Sequence, residues 1–183
     1  MILEEKLMTA HELLNEQPLH QRSELVNGRM LVREPAAYAH GRLAIVIGSA
    51  LHAWVSSRGL GDVVAAETGF TLRRNPDTVR APDAAYISAQ RVPPADIHGF
   101  AELAPDLVVE VVSPSDRAGY VRQKVGDWLA AGAQLVWVLD AAHRRADVFR
   151  ADGTTTRLTA VDSLSGEGVL PGFLLPLQPL IGA

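Results

Sequence analysis

Hydrophobic residues recur at helical spacing in three segments of the chain. The first segment, 10–16, is short and opens with a capping-box pattern. The second, 43–55, has apolar residues three and four positions apart and predicts the longest helix. The third follows a break at 113–116 and predicts a helix that Ser115 and Asp116 cap and that runs to about Ala131.

Other segments have the composition of β-strands. They lie at 23–26, 29–33, 62–66, 69–74, 83–88, 107–112, 134–140, 146–150 and 154–159. The first two flank Asn27-Gly28, which supplies the positive φ angles of a type I′ turn and predicts a hairpin. The segment 107–112 is apolar apart from Glu110, which is typical of a central strand buried on both faces.

Helical and strand patterns alternate without an internal repeat or a low-complexity linker, which predicts an α/β (α+β) fold. We expect a single domain over 1–183. It comprises an N-terminal helix and β-hairpin (1–34), a core (35–160) and a C-terminal extension (161–183) that docks on the core.

Composition excludes several classes of protein. The chain has 183 residues, 48% of them hydrophobic, and no cysteine, so thiol catalysis, thiolate metal sites and disulfides are excluded. No apolar run is long enough for a membrane span, and we expect a soluble cytoplasmic protein without a membrane partner. The net charge of -4 repels polyanions, so contacts with nucleic acid must be local.

Familiar catalytic signatures are missing from the sequence. It contains no Gly-rich phosphate loop with its lysine, no G-x-S-x-G elbow and no H-E-x-x-H, and its six histidines lack ligand spacing. A histidine-based zinc site is therefore not expected.

Acids placed inside apolar strands are the unusual feature. An ionised Glu110 in the Leu-Val-Val-Glu-Val-Val run needs a partner or a metal, because burying a lone carboxylate is costly. Asp106 falls on the same strand face, and Asp83 opens the preceding strand. Lys124 lies at the edge of the apolar stripe of the third helix and can reach these acids. Acids with one lysine at a sheet end suit metal-assisted phosphodiester hydrolysis.

A structural explanation stays open beside the catalytic one. Glu110 and Lys124 can simply form a buried ion pair between a strand and its packed helix. Asp83 and Asp106 each follow a proline and can be turn-forming residues.

These residues resemble a known family. The blocks 81–87 (APDAAYI), 104–116 (APDLVVEVVSPSD) and 136–140 (VWVLD), with Lys124 between them, are similar to the Uma-type restriction endonuclease family of bacteria. That family is in turn similar to the PD-(D/E)XK nuclease superfamily. The resemblance extends to the hairpin at 24–28 and to Pro171-Gly172-Phe173 near the end of the chain.

The resemblance implies a restriction-endonuclease-like core, a mixed central sheet flanked by helices. It implies an endonuclease that acts on DNA with Mg²⁺ or Mn²⁺ and without an organic cofactor. Asp83 and Glu110 would be the metal-binding acids and Lys124 the catalytic lysine. The chain departs from the superfamily motif, because the position two residues after Glu110 is Val112 and the lysine must come from the helix.

Weaker candidates surround this set. Supporting roles fall to Glu24, His40, Glu67, Asp106 and Gln123, although His40 can equally be an exposed residue at a helix start. Contacts with DNA phosphates fall to Arg73, Arg74, Arg80, Arg117 and Arg122, although Arg73 and Arg74 can equally serve only to solubilise the end of a hairpin. The alternative function is a catalytically silent nuclease-like module that forms a homo-oligomer and binds nucleic acid or has a regulatory role. We expect a homodimer, which would gather arginines along one groove.

Overall fold

The computed structural model describes residues 7–15, 22–33, 35–114 and 116–182. The helices are α1 (Ala10–Asn15), α2 (Tyr38–Ser56), α3 (Ala118–Ala130) and α4 (Gln178–Ile181). The strands are β1 (Arg22–Val26), β2 (Arg29–Arg33), β3 (Gly61–Ala65), β4 (Phe70–Arg73), β5 (Thr78–Arg80), β6 (Ala84–Ser88), β7 (Leu107–Val111), β8 (Leu135–Asp140), β9 (Arg145–Arg150), β10 (Thr155–Thr159), β11 (Ser163–Ser165) and β12 (Leu174–Pro176).

The predicted helices and the hairpin are confirmed, with small shifts at their ends. The hairpin pairs β1 with β2 through Asn27 and Gly28, whose φ angles are both positive. Glu16, the last residue of the first predicted helix, lies outside the described residues. Helix α2 begins five residues earlier than its apolar pattern, since its first turn carries small and polar side chains.

One expected helix cap is wrong. Asp116 makes no side-chain cap to α3. Its Oδ2 accepts a hydrogen bond from Ser113 N at 2.8 Å, and its Oδ1 accepts one from Arg33 at 2.7 Å. The carboxylate therefore closes the turn after β7 and holds an arginine of the hairpin. Ser115, the other expected cap, lies outside the described residues.

The central sheet has six strands in the order β10-β9-β8-β7-β6-β3. Its neighbours are antiparallel except for β7 and β8, which are parallel, so the predicted mixed sheet is confirmed. A parallel pair needs a crossover connection, and α3 lies in it. A smaller sheet, in the order β2-β1-β5-β4, joins the hairpin to the segment before β6.

The two faces of the central sheet bury separate apolar clusters. Leu107 and Val109 of β7 face α2 and the C-terminal segment, where Phe173 and Ile181 complete the packing. On the opposite face Val108 packs with α3 through Val125 and Trp128. Since side chains alternate along a strand, Glu110 lies on the α3 face. Within the described ranges, no helix is long and apolar enough to cross a membrane.

Candidate active site

Two carboxylates meet where β6 begins and β7 ends. These strands are antiparallel with Ala84 opposite Val109, so Asp83 lies beside the end of β7. Asp83 Oδ2 accepts a hydrogen bond from Val111 N at 2.7 Å, which fixes the carboxylate next to Glu110. Both side chains are buried. The strand pairing therefore gathers the two acids that the sequence places 27 residues apart.

Lys124 reaches this point from α3. Its Nζ donates to Glu110 Oε2 and to the carbonyl oxygen of Ala81, each at 2.8 Å, and lies 3.0 Å from Glu24 Oε1. Burial alone would lower the pKa of Lys124, but the charges of Glu110 and Glu24 raise it above the ordinary lysine value. The ammonium is therefore charged at neutral pH. Its three N–H donors match these three oxygens.

Glu110 is satisfied on both oxygens. Its Oε1 accepts a hydrogen bond from Trp128 Nε1 at 2.8 Å, one helical turn beyond Lys124. Burial raises the pKa of Glu110 to about 7. The charge of Lys124 lowers this pKa, and the charge of Asp83 raises it. A carboxylate in this position holds a proton easily at neutral pH, and a nearby cation would favour its ionised form.

Glu24 connects the small sheet to α3. Its Oε2 accepts hydrogen bonds from Tyr120 Oη at 2.6 Å and from Arg80 Nη1 at 2.8 Å, and its Oε1 accepts one from Ala81 N at 3.0 Å. Burial would raise the pKa of Glu24, but Lys124 and Arg80 lower it to about 2. Glu24 is therefore a fixed anion that holds the catalytic candidate Lys124 from the hairpin side.

Arg80 is a structural residue, which corrects its expected contact with DNA phosphate. It is 0% exposed, and it donates to Glu24 and, from Nε at 2.9 Å and Nη2 at 2.6 Å, to Asp127 Oδ2. A phosphate outside the protein cannot reach a guanidinium enclosed in this way. In the sequence it lies between the predicted strands at 69–74 and 83–88, where an exposed arginine is expected.

His40 approaches Asp83 from α2. Its Nε2 lies 3.3 Å from Asp83 Oδ1, and its side chain is largely buried. Burial would raise the pKa of Asp83, but the hydrogen bond and charge of His40 and the charge of Lys124 lower it. Of the two alternatives for this residue, the structure places it at the site and not at an exposed helix start.

A cavity of about 270 Å³ lies over these groups, and we call it the acidic cavity. Asp83, Glu110, Glu24, His40 and Lys124 all contribute to its lining, together with Glu67 at its rim. The predicted acids and the relocated lysine thus share one space that a substrate can enter.

Arg33 also lines the acidic cavity, although no sequence pattern predicts it there. It is held by Asp116 at 2.7 Å and lies over the ring of Tyr120, 4.3 Å from the centroid. Its side chain remains 34% exposed. Arg33 is one cation among many arginines in the sequence, and only the fold of the hairpin brings it here.

Other candidates lie elsewhere. Asp106 lies at the opposite end of β7, where it accepts hydrogen bonds from Arg91 at 2.5 Å and from Ser88 N at 2.8 Å. Gln123 and Arg122 on α3, and Arg117 just before this helix, are exposed and lie outside the lining of the cavity.

Arg73 and Arg74 lie at the end of β4, also outside the cavity lining. Arg73 contacts Thr78, and Arg74 pairs with Asp77 and Glu102. Both arginine side chains therefore have partners within the small sheet and the loop beside it.

The donor set suits one small divalent cation bound mainly by water and substrate. Among the described residues there is no cluster of three or more His, Asp or Glu side chains that could hold a metal. Asp83 and Glu110 nevertheless provide two adjacent carboxylates, and Mg²⁺ is commonly held by one or two carboxylates with waters and phosphate oxygens. Glu110 accepts one hydrogen bond on each oxygen, which leaves lone pairs for a cation.

The sequence matches one family model over most of its length. This model, described as "Putative restriction endonuclease", covers residues 9–178. The chain belongs to the Uma2 family. Membership in Uma2 confirms the resemblance drawn from the blocks at 81–87 and 104–116. A comparison with curated proteins finds no match.

A solved structure shares the Uma2 chain's fold. It is the crystal structure of "a putative nuclease belonging to DUF820 from Anabaena variabilis ATCC 29413". The two align with a TM-score of 0.84 at 18% sequence identity, over 96% of this chain and 98% of that chain. At this identity the likeness shows the fold, and it confirms the predicted nuclease-like α/β class. Membership in a family described as "Putative restriction endonuclease" supports a nuclease-like function.

Proposed function

We propose that this Uma2 chain is an endonuclease that hydrolyses DNA phosphodiester bonds with Mg²⁺ or Mn²⁺. The observation that carries the proposal is the convergence of Asp83, Glu110 and Lys124 on the acidic cavity, from three different elements. Each of these side chains is buried, yet each lines a space open to a ligand. Membership in a family described as restriction endonucleases supports DNA as the substrate.

Asp83 and Glu110 would hold the metal. When bound, such a cation polarises the phosphate and lowers the pKa of a coordinated water. The protein's own contribution is to keep the two acids in place, Asp83 through Val111 N and Glu110 through Trp128 and Lys124. Ionised Glu110 is the form that binds a cation, so affinity for metal should rise with pH around the Glu110 pKa of about 7.

Lys124 contributes a fixed positive charge. The phosphate gains negative charge on its oxygens as hydrolysis proceeds, and a preorganised ammonium beside the acids stabilises that charge. Its N–H donors are already directed at Glu110, Glu24 and Ala81. It therefore acts through its charge, or donates to the phosphate after exchanging one of these contacts.

A second candidate is a nuclease-like module without turnover. The observation in its favour is the closed ionic network of Glu24, Arg80, Lys124 and Glu110, in which each charge already has a partner. Such a network can be retained for structure alone. The net charge of -4 also weakens general attraction to nucleic acid.

The two candidates are separated by a cleavage assay. Plasmid and single-stranded DNA are incubated with purified protein in Mg²⁺, Mn²⁺ or EDTA, beside Asp83→Asn and Lys124→Met. Arg157→Met is the control, because it changes an exposed cation on β10, at the far edge of the central sheet. We expect metal-dependent cleavage by the unaltered protein and the control, and a loss of two or more orders of magnitude in both site variants.

Absence of cleavage, or cleavage that survives in the site variants, would contradict the proposed function. If the unaltered protein binds DNA but cleaves none with either metal, and Glu110→Gln lowers the free energy of unfolding, the silent module is the better description, because the ionic network then serves the structure. Cleavage that survives in Asp83→Asn and Lys124→Met would place the active site elsewhere. Sedimentation of the same preparation tests the proposed homodimer.

A further inference from the structure

A second space adjoins the acidic cavity. It is a groove of about 500 Å³ between α2 and β3, the edge strand of the central sheet. Ala36, His40, Glu67 and Asp83 line both spaces. A ligand with a phosphate beside Asp83 can therefore have its neighbouring group close to the groove.

The lining of this groove is mostly apolar. Its floor and walls come from one face of α2 and from β3, and include Gly41, Ala44, Ile45, Gly48, Val63 and Ala65. Ser49 and His52, both exposed, add polar groups farther along α2. An apolar cleft with a few polar groups beside it matches the chemistry of a nucleobase, which has flat apolar faces and a polar edge.

The charges near the site favour contact with a base. Lys124 already has carboxylate partners in Glu110 and Glu24, and Arg33, which pairs with Asp116, stays only partly exposed for contact with a phosphate. With a net charge of -4, the chain has little electrostatic attraction for a polyanion. Contact between a base and the groove would supply affinity that phosphate contacts provide in more basic proteins.

We propose that the groove binds the nucleobase next to the phosphate bound in the acidic cavity, so that the preferred substrate is a strand with an unpaired nucleotide at that position. The inference rests on the proposed function, which places the scissile phosphate in the acidic cavity. A base inside a duplex is stacked and paired, and it must be extruded before it can enter a groove. Single-stranded DNA therefore binds and reacts better than duplex DNA.

Gly41 offers a direct test of the groove. A Cβ added at Gly41 meets no atom within 4 Å, so Gly41→Leu adds an apolar side chain at the lining of the groove without a clash at the backbone. Gly126→Leu is the matched control, since Gly126 is an exposed helical glycine on α3, is equally open, and lines neither space. Circular dichroism and thermal unfolding establish that both variants fold.

Binding is measured by fluorescence anisotropy with a labelled single-stranded oligonucleotide, in Ca²⁺ and in EDTA. We expect Gly41→Leu to weaken binding about tenfold, the scale of one lost base contact, and Gly126→Leu to leave it unchanged. The duplex of the same sequence should bind the unaltered protein more weakly by a similar factor. Equal affinity of Gly41→Leu and Gly126→Leu would overturn the proposal.

An abasic oligonucleotide tests the groove without any substitution. It keeps the phosphates and lacks the bases, so the unaltered protein should bind it about tenfold more weakly than the normal strand. Equal binding of the two strands, or no binding of either, would also overturn the proposal. A dimer that Gly41→Leu dissociates while DNA binding stays unchanged would assign the groove to a second copy of the chain instead.

Binding and cleavage measured together distinguish a wrong groove assignment from a wrong proposed function. If the protein binds single strands through the groove but cleaves none with either metal, the proposed function fails and the groove assignment stands. If the protein cleaves DNA and Gly41→Leu binds and cleaves like Gly126→Leu, the groove assignment fails and the proposed function stands.

Discussion

Lys124 Nζ lies 2.8 Å from Glu110 Oε2, although the lysine comes from α3 and the glutamate from β7. In the superfamily motif the lysine would lie two residues after the acid, where this chain has Val112. Helix α3 belongs to the crossover between the parallel strands β7 and β8, so it packs over the face that Glu110 occupies. The crossover helix thus delivers the ammonium that the strand lacks.

Replacing the lysine should destabilise the protein as well as remove activity. Lys124→Met keeps an unbranched apolar chain but leaves Glu110 and Glu24 without their shared cation. The free energy of unfolding at pH 7 should fall by about 3 kcal/mol, since removal of one partner leaves buried charge uncompensated. Urea denaturation measures the change.

A double variant distinguishes charge from packing. Adding Glu110→Gln to Lys124→Met removes one of the stranded carboxylates, and we expect it to restore about 1 kcal/mol or more. Arg122→Met, an exposed change on the same helix, should stay within about 0.5 kcal/mol of the parent. A double variant no more stable than Lys124→Met would contradict an electrostatic cause.

Arg80 should tolerate even a conservative change poorly. Its guanidinium bridges Glu24 and Asp127 with no exposed surface, and a lysine cannot reproduce this fork. Arg80→Lys should therefore cost about 2 kcal/mol or more in the free energy of unfolding. Arg122→Lys provides the exposed comparison, and similar stabilities of these two variants would show that the buried fork is dispensable.

Glu24 should make the fold sensitive to acid. Its pKa is lowered to about 2 in the folded state from 4.5, so its ionised form stabilises the fold above pH 4.5. That contribution, on the order of 3 kcal/mol, is lost as the pH falls from 4.5 towards 2. In Glu24→Gln the free energy of unfolding should be lower at pH 7 and should vary less over this acid range. An unchanged pH profile would contradict the assignment.

Site residues could be predicted from the sequence where a charged residue interrupts an apolar pattern. Glu110 inside an apolar strand and Lys124 at the edge of an apolar helical stripe both stood out, and both lie at the site. Asp106 shows the limit of this reasoning, because a spacing of two residues predicts a shared strand face but not which end of the strand meets a neighbouring acid. The order and direction of β6 and β7 decide that, and they place Asp83 at one end and Asp106 at the other.

Other parts of the structure depend on contacts distant in the sequence. Strand β5 has three residues and no room for a periodic pattern, so the sequence did not separate it from the turn before it. Glu24 and Arg80 pair across 56 positions, and Arg33 and Asp116 across 83. Arginine and aspartate are common at exposed positions, so neither their burial nor their pairing leaves a local signal.

Arg33 should contribute one phosphate contact within the proposed function. It lines the acidic cavity, and the ring of Tyr120 and the carboxylate of Asp116 hold its guanidinium in place while part of it stays exposed. Arg33→Ala should weaken DNA binding about tenfold and reduce the slope of log affinity against log salt by about 1. Arg33→Lys keeps the charge and should retain most of that slope. Arg157→Ala, an exposed change on β10 at the far edge of the sheet, should alter neither quantity. Titrations over a salt series would refute the contact if Arg33→Ala kept the parent slope, because a lost phosphate contact must release fewer counterions.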